Sequence, residues 1–449
     1  MSNKTDTEPR EIVYSMRHAW GPNATFVLIC FVMGVVIGCA AWLLKYMIAG
    51  ISHALTGYLA PQVLPWTFFF VPVLAIMIVG AAQKYILHHR IDRSTDRIND
   101  ALVKRQLDIP LSTVFSPMML ASITLGAGGS AGAEGPIAYS GAAMGSNLAR
   151  MLKLGSKAAY ALVAIGAGAG IAGIFKAPVG GMLFTIEILS FSFNTLSVVG
   201  LVVACLASGL IATVVDGFTP DMLYLNPPQF EVSLIAWAVP LGIVCGTYSY
   251  FYAAVVTRLG NVYRSIDRPW VRWLSSGSAL AVMLFVVPSF YGEGYNVVSA
   301  ILSGHGAEAL TFSTVLRHLP SLSPWVAMIV MATAIVLFKP AAVASTNSGG
   351  GIAGDFAPTL FAGAGLGFLF AAVAVAAMGA DVAQGALVFM AMGGVMAGSV
   401  KAPVMAMFIV SEMSAVFTLF IPLAVTCVIS YLVVCAITAV SVGRIGRRA

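Results

Sequence analysis

Long apolar stretches dominate the pattern of hydrophobic and polar positions along this chain. Three of them have the length of about 20 residues that an uninterrupted membrane-spanning helix needs: they begin at Ala24 and at Thr67, and the third extends from Phe417 to Val442. The stretches 121–189 and 342–413 are also apolar, but glycine and proline interrupt them repeatedly. The pattern predicts an all-α integral membrane protein with several broken helices.

The interrupted stretches occupy matching places in two halves of the chain. AGAEGPIAYSGAAMG from Ala131 lines up with AGDFAPTLFAGAGLG from Ala353. AGIFKAPVGGMLFTIE from Ala172 lines up with AGSVKAPVMAMFIVSE from Ala397 at nearly the same offset, and both copies contain AGxxKAP. In lipid, a broken helix survives only where protein or a water-filled cavity satisfies the freed backbone groups. Broken segments in matching halves therefore predict a duplicated transporter with its site at the breaks.

The duplication predicts five segments in the chain. They are a cytoplasmic N-terminal tail at 1–22, a first membrane repeat at 23–215, a linker at 216–232, a second membrane repeat at 233–442 and a basic cytoplasmic C-terminus at 443–449.

Composition supports the membrane assignment and limits the partners. The chain is 59% hydrophobic and 9% charged, with a mean hydropathy of +0.92, whereas soluble domains carry roughly 25% charged residues. Its net charge of +6 arises largely from basic clusters near 84–97 and at the C-terminus. The positive-inside rule places these clusters and the N-terminal tail in the cytoplasm. An anionic membrane surface accounts for them, so no nucleic-acid partner is predicted.

Three further features exclude other classes of protein. The first twenty residues contain no apolar core of a cleavable signal peptide. All six cysteines lie inside apolar runs without CxxC spacing and are predicted to be buried packing residues. The six histidines are scattered, so we predict neither a metal site nor another cofactor.

The broken segments contain candidate anion sites. GGSAGAEGP and GGGIAGDFAP each place a glycine-rich turn before helix-forming residues, with a proline where a first helical turn tolerates it. A helix N-terminus presents unpaired N–H groups and a partial positive charge, so two such ends would form a backbone cradle for a small anion. The alternative is that the glycines only allow close packing of helices.

Glu134 makes the anion hypothesis more specific. An ionisable group inside a membrane segment is costly and indicates function by default. A charged carboxylate at an anion-binding helix end would compete with the anion, and a protonated one would leave. We therefore predict that Glu134 is a gate that protons switch.

Two motif matches and four other charges allow different interpretations. GGSAG at 128–132 fits the nucleophile elbow of serine hydrolases, with Ser130 as nucleophile, but the elbow needs a preceding strand. GAGIAG at 168–173 fits a dinucleotide-binding pattern but is more typical of helix packing. Lys176 and Lys401 either attract anions or snorkel, Asp355 must point away from any anion, and Lys339 is predicted to be an interfacial anchor.

At these motifs the chain resembles the CLC family of chloride channels and chloride/proton exchangers. GAEGP at 132–136 resembles the family motif GREGP, with Ala133 in place of arginine. GDFAP at 354–358 resembles GIFAP, with Asp355 in place of isoleucine. FKAPVGGMLFTIE, VKAPVMAMFIVSEM and GEGYNVVSAILSG resemble further segments, and the resemblance extends from about residue 24 to 440.

The resemblance implies two inverted helical repeats with tilted helices, assembled as a homodimer with one anion pathway per subunit. It implies that the backbone amides of Asp355 and Phe356 hold the central anion and that Glu134 is the external gate. Because the sequence stops seven residues after Val442, we expect no C-terminal pair of CBS domains. The motif residues that complete the expected anion site are Gly132, Gly135, Gly354 and Ala357.

Three departures from the family pattern affect the expected mechanism. The family's GSGIPE loop is missing, and its anion-binding serine falls on Arg93, beside Ser94; Arg93 either changes anion affinity or is an ordinary charge of a cytoplasmic loop. Exchangers carry an internal proton-accepting glutamate where this chain has Ile188. The gating tyrosine of the last helix falls near Gly443.

The sequence thus predicts an inner-membrane protein that moves small anions, chloride first, together with protons and without enzymatic activity. Proton-linked exchange is favoured because Glu134 is retained, and passive conduction is the alternative because of Ile188. A different inverted-repeat transporter and an intramembrane serine hydrolase are the remaining alternatives.

Overall fold

The computed structural model describes residues 21–57, 64–87, 94–222, 224, 227–303, 324–378 and 383–445. Within these ranges the regular secondary structure consists of sixteen α-helices and one 3-10 turn. The α-helices are α1 (Pro22–Gly57), α2 (Leu64–Tyr85), α3 (Ser94–Val103), α4 (Ser112–Gly126), α5 (Glu134–Met151), α6 (Ser156–Phe175), α7 (Pro178–Glu187), α8 (Thr195–Val215), α9 (Ser233–Arg264), α10 (Pro269–Val286), α11 (Tyr295–Leu302), α12 (Pro324–Gly349), α13 (Phe356–Met378), α14 (Gln384–Val400), α15 (Pro403–Ser414) and α16 (Phe420–Ile445).

The all-α membrane architecture predicted from the apolar stretches is confirmed. In the described part of the chain, nine helices are long and apolar enough to cross a membrane. The three uninterrupted spans correspond to α1, α2 and α16, although α1 extends to Gly57 and α16 begins only at Phe420. The chain is therefore a multi-pass membrane protein.

The predicted interruptions are breaks between helices. The stretch 121–189 contains the end of α4, then α5, α6 and α7, and the stretch 342–413 contains the end of α12, then α13, α14 and α15. Two loops, at 127–133 and 350–355, separate α4 from α5 and α12 from α13. Both loops are rich in glycine, which disfavours helix, and a proline follows as the third residue of the next helix, so backbone groups are freed at the loops.

The described residues form two compact units. The first unit contains the residues up to Lys45, 94–119 and 134–219, and the second contains 46–87, 120–133 and the chain from Pro220 onward. In the first unit α6 packs against α5, α7 and α8, and in the second α14 packs against α9, α13 and α16. The repeat boundaries at 23–215 and 233–442 stay a prediction.

Most of the cysteines behave as the sequence predicts. Cys30, Cys205, Cys245 and Cys427 are buried free thiols. Cys39 is exposed on α1, and Cys435 is partly exposed on α16. The interpretation as buried packing residues is therefore wrong for Cys39, which lies on the outer face of an apolar helix.

The two copies of AGxxKAP adopt the same local structure. Lys176 ends α6 in a left-handed conformation with φ of 51°, and Lys401 ends α14 in the same way with φ of 60°. In both copies a proline then occupies the first position of the next helix, where its missing N–H costs nothing. The lysines differ in their surroundings. The Lys176 ammonium donates to the carboxylate of Asp216 and, at 2.7 Å, to the carbonyl of Thr219, whereas Lys401 is exposed.

We expect Lys176→Met to lower the free energy of unfolding by about 1 kcal/mol, because it removes a partly shielded ion pair. The side chain of Lys176 is 8% exposed and that of Asp216 is 40% exposed. Lys401→Met is the matched control, since it places the same residue in the same left-handed conformation without that ion pair. Thermal unfolding in detergent compares the two variants, and equal destabilisation would show that the backbone conformation alone causes the effect.

Candidate functional site

The two loops at the helix breaks pair with each other through their backbones. The N–H of Gly132 donates to the carbonyl of Gly354 at 3.0 Å, and the N–H of Gly354 donates to the carbonyl of Gly132 at 2.6 Å. This reciprocal pair is an isolated antiparallel bridge between the two duplicated motifs. The structure thus brings together two of the glycines that the sequence assigns to the anion site.

Each bridged glycine lies two residues before the start of a helix. After Gly132, α5 begins at Glu134, and after Gly354, α13 begins at Phe356. Pro136 and Pro358 are each the third residue of their helix. The first N–H groups of a helix have no intrahelical acceptor and attract anions.

The loop at 350–355 is held by side chains from the second unit. Gln83 donates its amide to the carbonyl of Gly350 at 2.7 Å, and the N–H of Ile352 donates to the hydroxyl of Thr124 at 3.2 Å. Both hydrogen bonds are buried. They satisfy backbone groups that the helix break would otherwise leave unpaired in an apolar interior.

The loop at 127–133 is held in the same manner. The N–H of Ser130 donates to the hydroxyl of Thr346 at 3.1 Å, and Lys339 donates to the hydroxyl of Ser130 at 2.9 Å. The N–H of Ala133 donates to a carboxylate oxygen of Glu293 at 3.0 Å. Residues 130, 132 and 133 are thus each bonded to a residue from the C-terminal half of the chain.

Lys339 corrects the sequence interpretation. It was expected at the membrane interface, because it precedes Pro340 at the end of an apolar run, but α12 continues through that proline to Gly349. The Lys339 side chain is fully buried, with its ammonium 4.6 Å from the ring centre of Phe361 and 5.8 Å from that of Phe290. A buried ammonium needs such aromatic and hydroxyl partners because desolvation is costly.

Asp355 has an exposed side chain, whereas its neighbours in the motif are buried. One of its carboxylate oxygens accepts a hydrogen bond from the amide of Asn347 at 2.6 Å. Gly354, Phe356 and Ala357 are buried around it. That Asp355 directs its charge away from an anion held by its own backbone stays a prediction.

The remaining expected site residues lie mainly in the first unit. Glu134 is 1% exposed and begins α5, followed by the buried Gly135. Arg93 lies outside the described residues, and Ser94 begins α3.

Near the start of α3, a different arginine makes a contact that the sequence did not indicate. Arg97 hydrogen-bonds through its side chain to the hydroxyl of Tyr139, on the helix that Glu134 begins. Tyr139 is buried.

The two competing motif interpretations are resolved by the helices around them. GGSAG follows α4, which is a helix where the nucleophile elbow needs a strand, and the Ser130 hydroxyl accepts the bond from Lys339. The hydrolase interpretation is therefore wrong, because the strand that the elbow requires before Gly128 is a helix. GAGIAG lies entirely inside α6, so the helix-packing interpretation of that motif is confirmed.

Sequence reasoning missed the residues that support the loops. Glu293 lies in the quoted segment GEGYNVVSAILSG without an assigned role, and Thr346 lies in an unremarked part of α12. The available signal was the presence of opposite charges, Glu293 and Lys339, in two otherwise apolar segments. An intramembrane charge usually has a partner inside the protein, and this pairing could have been proposed from the sequence.

The fold and the paired loops define a class of protein: a multi-pass helical membrane protein with broken helices whose interrupting loops pair through their backbones, as in channels and secondary transporters. The family model described as voltage gated chloride channel matches residues 77–435. The chain belongs to this family, the CLC family, and the resemblance predicted from GAEGP and GDFAP is confirmed.

Curated relatives extend over most of the chain. A ClcB-like protein of Ralstonia nicotianae is 27% identical over 430 residues, which are 90% of this chain and 94% of that protein. The H+/Cl− exchange transporter ClcA of Salmonella typhi is 26% identical over 313 residues, which are 68% of this chain and 62% of that protein. The match to ClcA thus spans less than two thirds of that relative's length.

Solved structures show the same fold at low sequence identity. A slow cyanobacterial Cl−/H+ antiporter has a TM-score of 0.75 and 19% identity, covering 93% of this chain and 95% of the other. A CLC-type fluoride/proton antiporter has a TM-score of 0.72 and 20% identity, covering 91% and 95%. Both confirm the CLC-like architecture.

Proposed function

We propose that this protein moves small anions, chloride first, across the membrane, that Glu134 is its protonatable gate and that transport is linked to proton exchange. The observation that carries this proposal is the backbone bridge between Gly132 and Gly354, two residues before the helices that begin at Glu134 and Phe356. The relatives named as H+/Cl− exchange transporters support the choice of chloride and protons.

The anion-binding part of the proposal rests on backbone groups. The N–H groups of Asp355 and Phe356 are the expected donors to the central anion, with Gly135 and Ala357 in the first turns of the two helices. Backbone donors at a helix N-terminus bind an anion without a fixed counter-charge, so the anion can leave again. Such a cradle suits chloride, nitrate and fluoride.

Passive conduction is the second candidate, and one observation favours it. Ile188 follows Glu187 at the C-terminus of α7, at the position of the internal proton acceptor in exchangers. An isoleucine side chain cannot take a proton. An exchanger built on this chain must therefore carry protons to Glu134 by a different path, whereas a channel needs none.

The proposal is tested by measuring anion and proton movement simultaneously in proteoliposomes. An outward chloride gradient is expected to drive protons uphill into the vesicles, and protein-free vesicles and a proton ionophore provide the controls. Chloride movement without proton movement would replace exchange by passive conduction. If nitrate or fluoride moves and chloride does not, the proposed substrate is wrong while the anion pathway stands.

We also infer that the protein is a homodimer in the inner (plasma) membrane with both termini in the cytoplasm. The basic residues after α2 and at the C-terminus support this orientation through the positive-inside rule. The family membership supports a channel or transporter without enzymatic activity. Cross-linking in native membranes measures the oligomeric state, and cysteine labelling of the termini from each side measures the orientation.

A further inference from the structure

An acidic residue outside the proposed anion site, Glu293, lies at the turn between α10 and α11. Glu293 is placed between Gly292 and Gly294, and both glycines have positive φ, 65° and 83°. A Cβ atom on Gly294 would lie 2.5 Å from the ring of Phe361, so a side chain there would be strained and crowded. The turn therefore requires glycine on both sides of Glu293 and fixes where its carboxylate lies.

The Glu293 carboxylate serves two partners at once. It accepts the N–H of Ala133 at 3.0 Å, and it attracts the buried ammonium of Lys339 electrostatically. Lys339 in turn donates to Ser130. The two charged side chains thus hold the loop 127–133 at two points, Ser130 and Ala133.

The second of these points has a direct chemical link to the proposed gate. Ala133 immediately precedes Glu134, so the hydrogen bond from the Ala133 N–H to Glu293 restrains the backbone from which the gate side chain projects. The bridge of Gly132 to Gly354 restrains the preceding residue. Glu134 therefore follows directly on two consecutive backbone groups that are held by hydrogen bonds.

We propose that Glu293 is a positioning residue for the Glu134 gate, and that its carboxylate, by accepting the N–H of Ala133, fixes the backbone on which Glu134 blocks the anion path. The inference rests on the proposed gating role of Glu134. Without the carboxylate, the N–H of Ala133 loses its acceptor and the backbone before Glu134 becomes mobile. A mobile gate blocks less completely, so chloride passes faster at neutral pH.

A double-mutant cycle of chloride flux at neutral pH tests this proposal. We expect Glu293→Ala to raise flux about threefold in the chain that retains Glu134, and to change it less than about 1.5-fold in the Glu134→Gln background. A residue that only stabilises the fold would change flux equally in both backgrounds. Equal effects in the two backgrounds therefore overturn the proposal.

Two further variants keep the test independent of folding. Glu293→Gln retains the oxygen acceptor for Ala133 and is expected to restore wild-type flux. Glu293→Ala combined with Lys339→Met removes both charges, so no uncompensated ammonium remains buried, and it is expected to raise flux as Glu293→Ala does. Wild-type flux in that double variant would contradict the positioning role.

The matched control is Glu231→Ala, which removes an exposed carboxylate that accepts a hydrogen bond from the hydroxyl of Ser233. It is expected to leave flux unchanged.

Failure of the proposed function gives a distinct result: the wild-type chain then moves no chloride, or Glu134→Gln leaves its chloride flux unaltered. Failure of the positioning role leaves both of those measurements intact.

Discussion

Glu134→Gln is expected to raise chloride flux at neutral pH about tenfold. A carboxylate within about 4 Å of a chloride ion repels it by about 1 to 4 kcal/mol, and the substitution removes this repulsion. The glutamine is neutral at every pH, so it cannot compete with the anion as a carboxylate does. Wild-type flux is expected to rise as the pH falls and Glu134 takes up a proton. Flux through the variant is expected to be the same at acidic and neutral pH.

The same substitution is expected to lower proton movement per chloride about a hundredfold, because the group that carries the proton is gone. Chloride and proton fluxes are recorded together in proteoliposomes of equal protein content. Glu231→Gln, which neutralises an exposed carboxylate, is the control and should leave both fluxes unchanged. Coupled proton movement that persists in Glu134→Gln would exclude Glu134 as the proton carrier, and an unaltered chloride flux would exclude it as a gate.

The helix breaks were predictable because they depend on local chemistry. Glycine-rich turns followed by Pro136 and Pro358 favour a helix start, and the structure begins α5 and α13 two residues before these prolines. The left-handed turns at Lys176 and Lys401 follow from the same repeated AGxxKAP. Each of these features is encoded within a few consecutive residues and does not depend on distant partners.

The support of the loops was not predictable from local patterns, because it joins residues far apart in the chain. Lys339 has the sequence context of an interfacial lysine, and only the position of Ser130 and Glu293 in space makes it a buried partner. The bridge of Gly132 to Gly354 is equally distant in sequence, although the duplication indicated which motifs belong together. Hydrophobic periodicity cannot identify such contacts, because the local sequence around each residue is compatible with the contact and equally with its absence.

The departures from the family motifs have different structural outcomes. Asp355, which replaces isoleucine, has an exposed carboxylate bonded to Asn347, and the fold accommodates it without burying a charge. In the altered segment the described part begins with Ser94 at the start of a helix, and Arg97 on that helix bonds to the hydroxyl of Tyr139. The sequence indicated where the chain differs from its family, but not which neighbours the new side chains would contact.

Gly141→Ala is expected to destabilise the first unit by about 2 to 3 kcal/mol, the upper end for overpacking a close contact. Gly141 on α5 and Gly166 on α6 face each other so closely that a Cβ on either would lie 2.2 Å from the carbonyl oxygen of the other. A backbone carbonyl cannot rotate away as a side chain can, so the helices must separate. Thermal unfolding in detergent, followed by tryptophan fluorescence, measures the loss.

Gly50→Ala is the matched control for this prediction, because a Cβ there meets no atom within 4 Å. It makes the same chemical change inside helix α1 and should leave stability unchanged or raise it slightly, since alanine favours helix more than glycine does.

The double variant Gly141→Ala/Gly166→Ala tests whether the close approach of the two helices causes the loss of stability, as opposed to a general cost of substituting glycine. Once α5 and α6 have moved apart for one methyl group, the second should cost less than it does alone, so the combined loss should fall short of the two single losses added together. Additive losses would show that the two methyl groups are accommodated independently, and that the close approach of the helices is not what requires glycine at both positions.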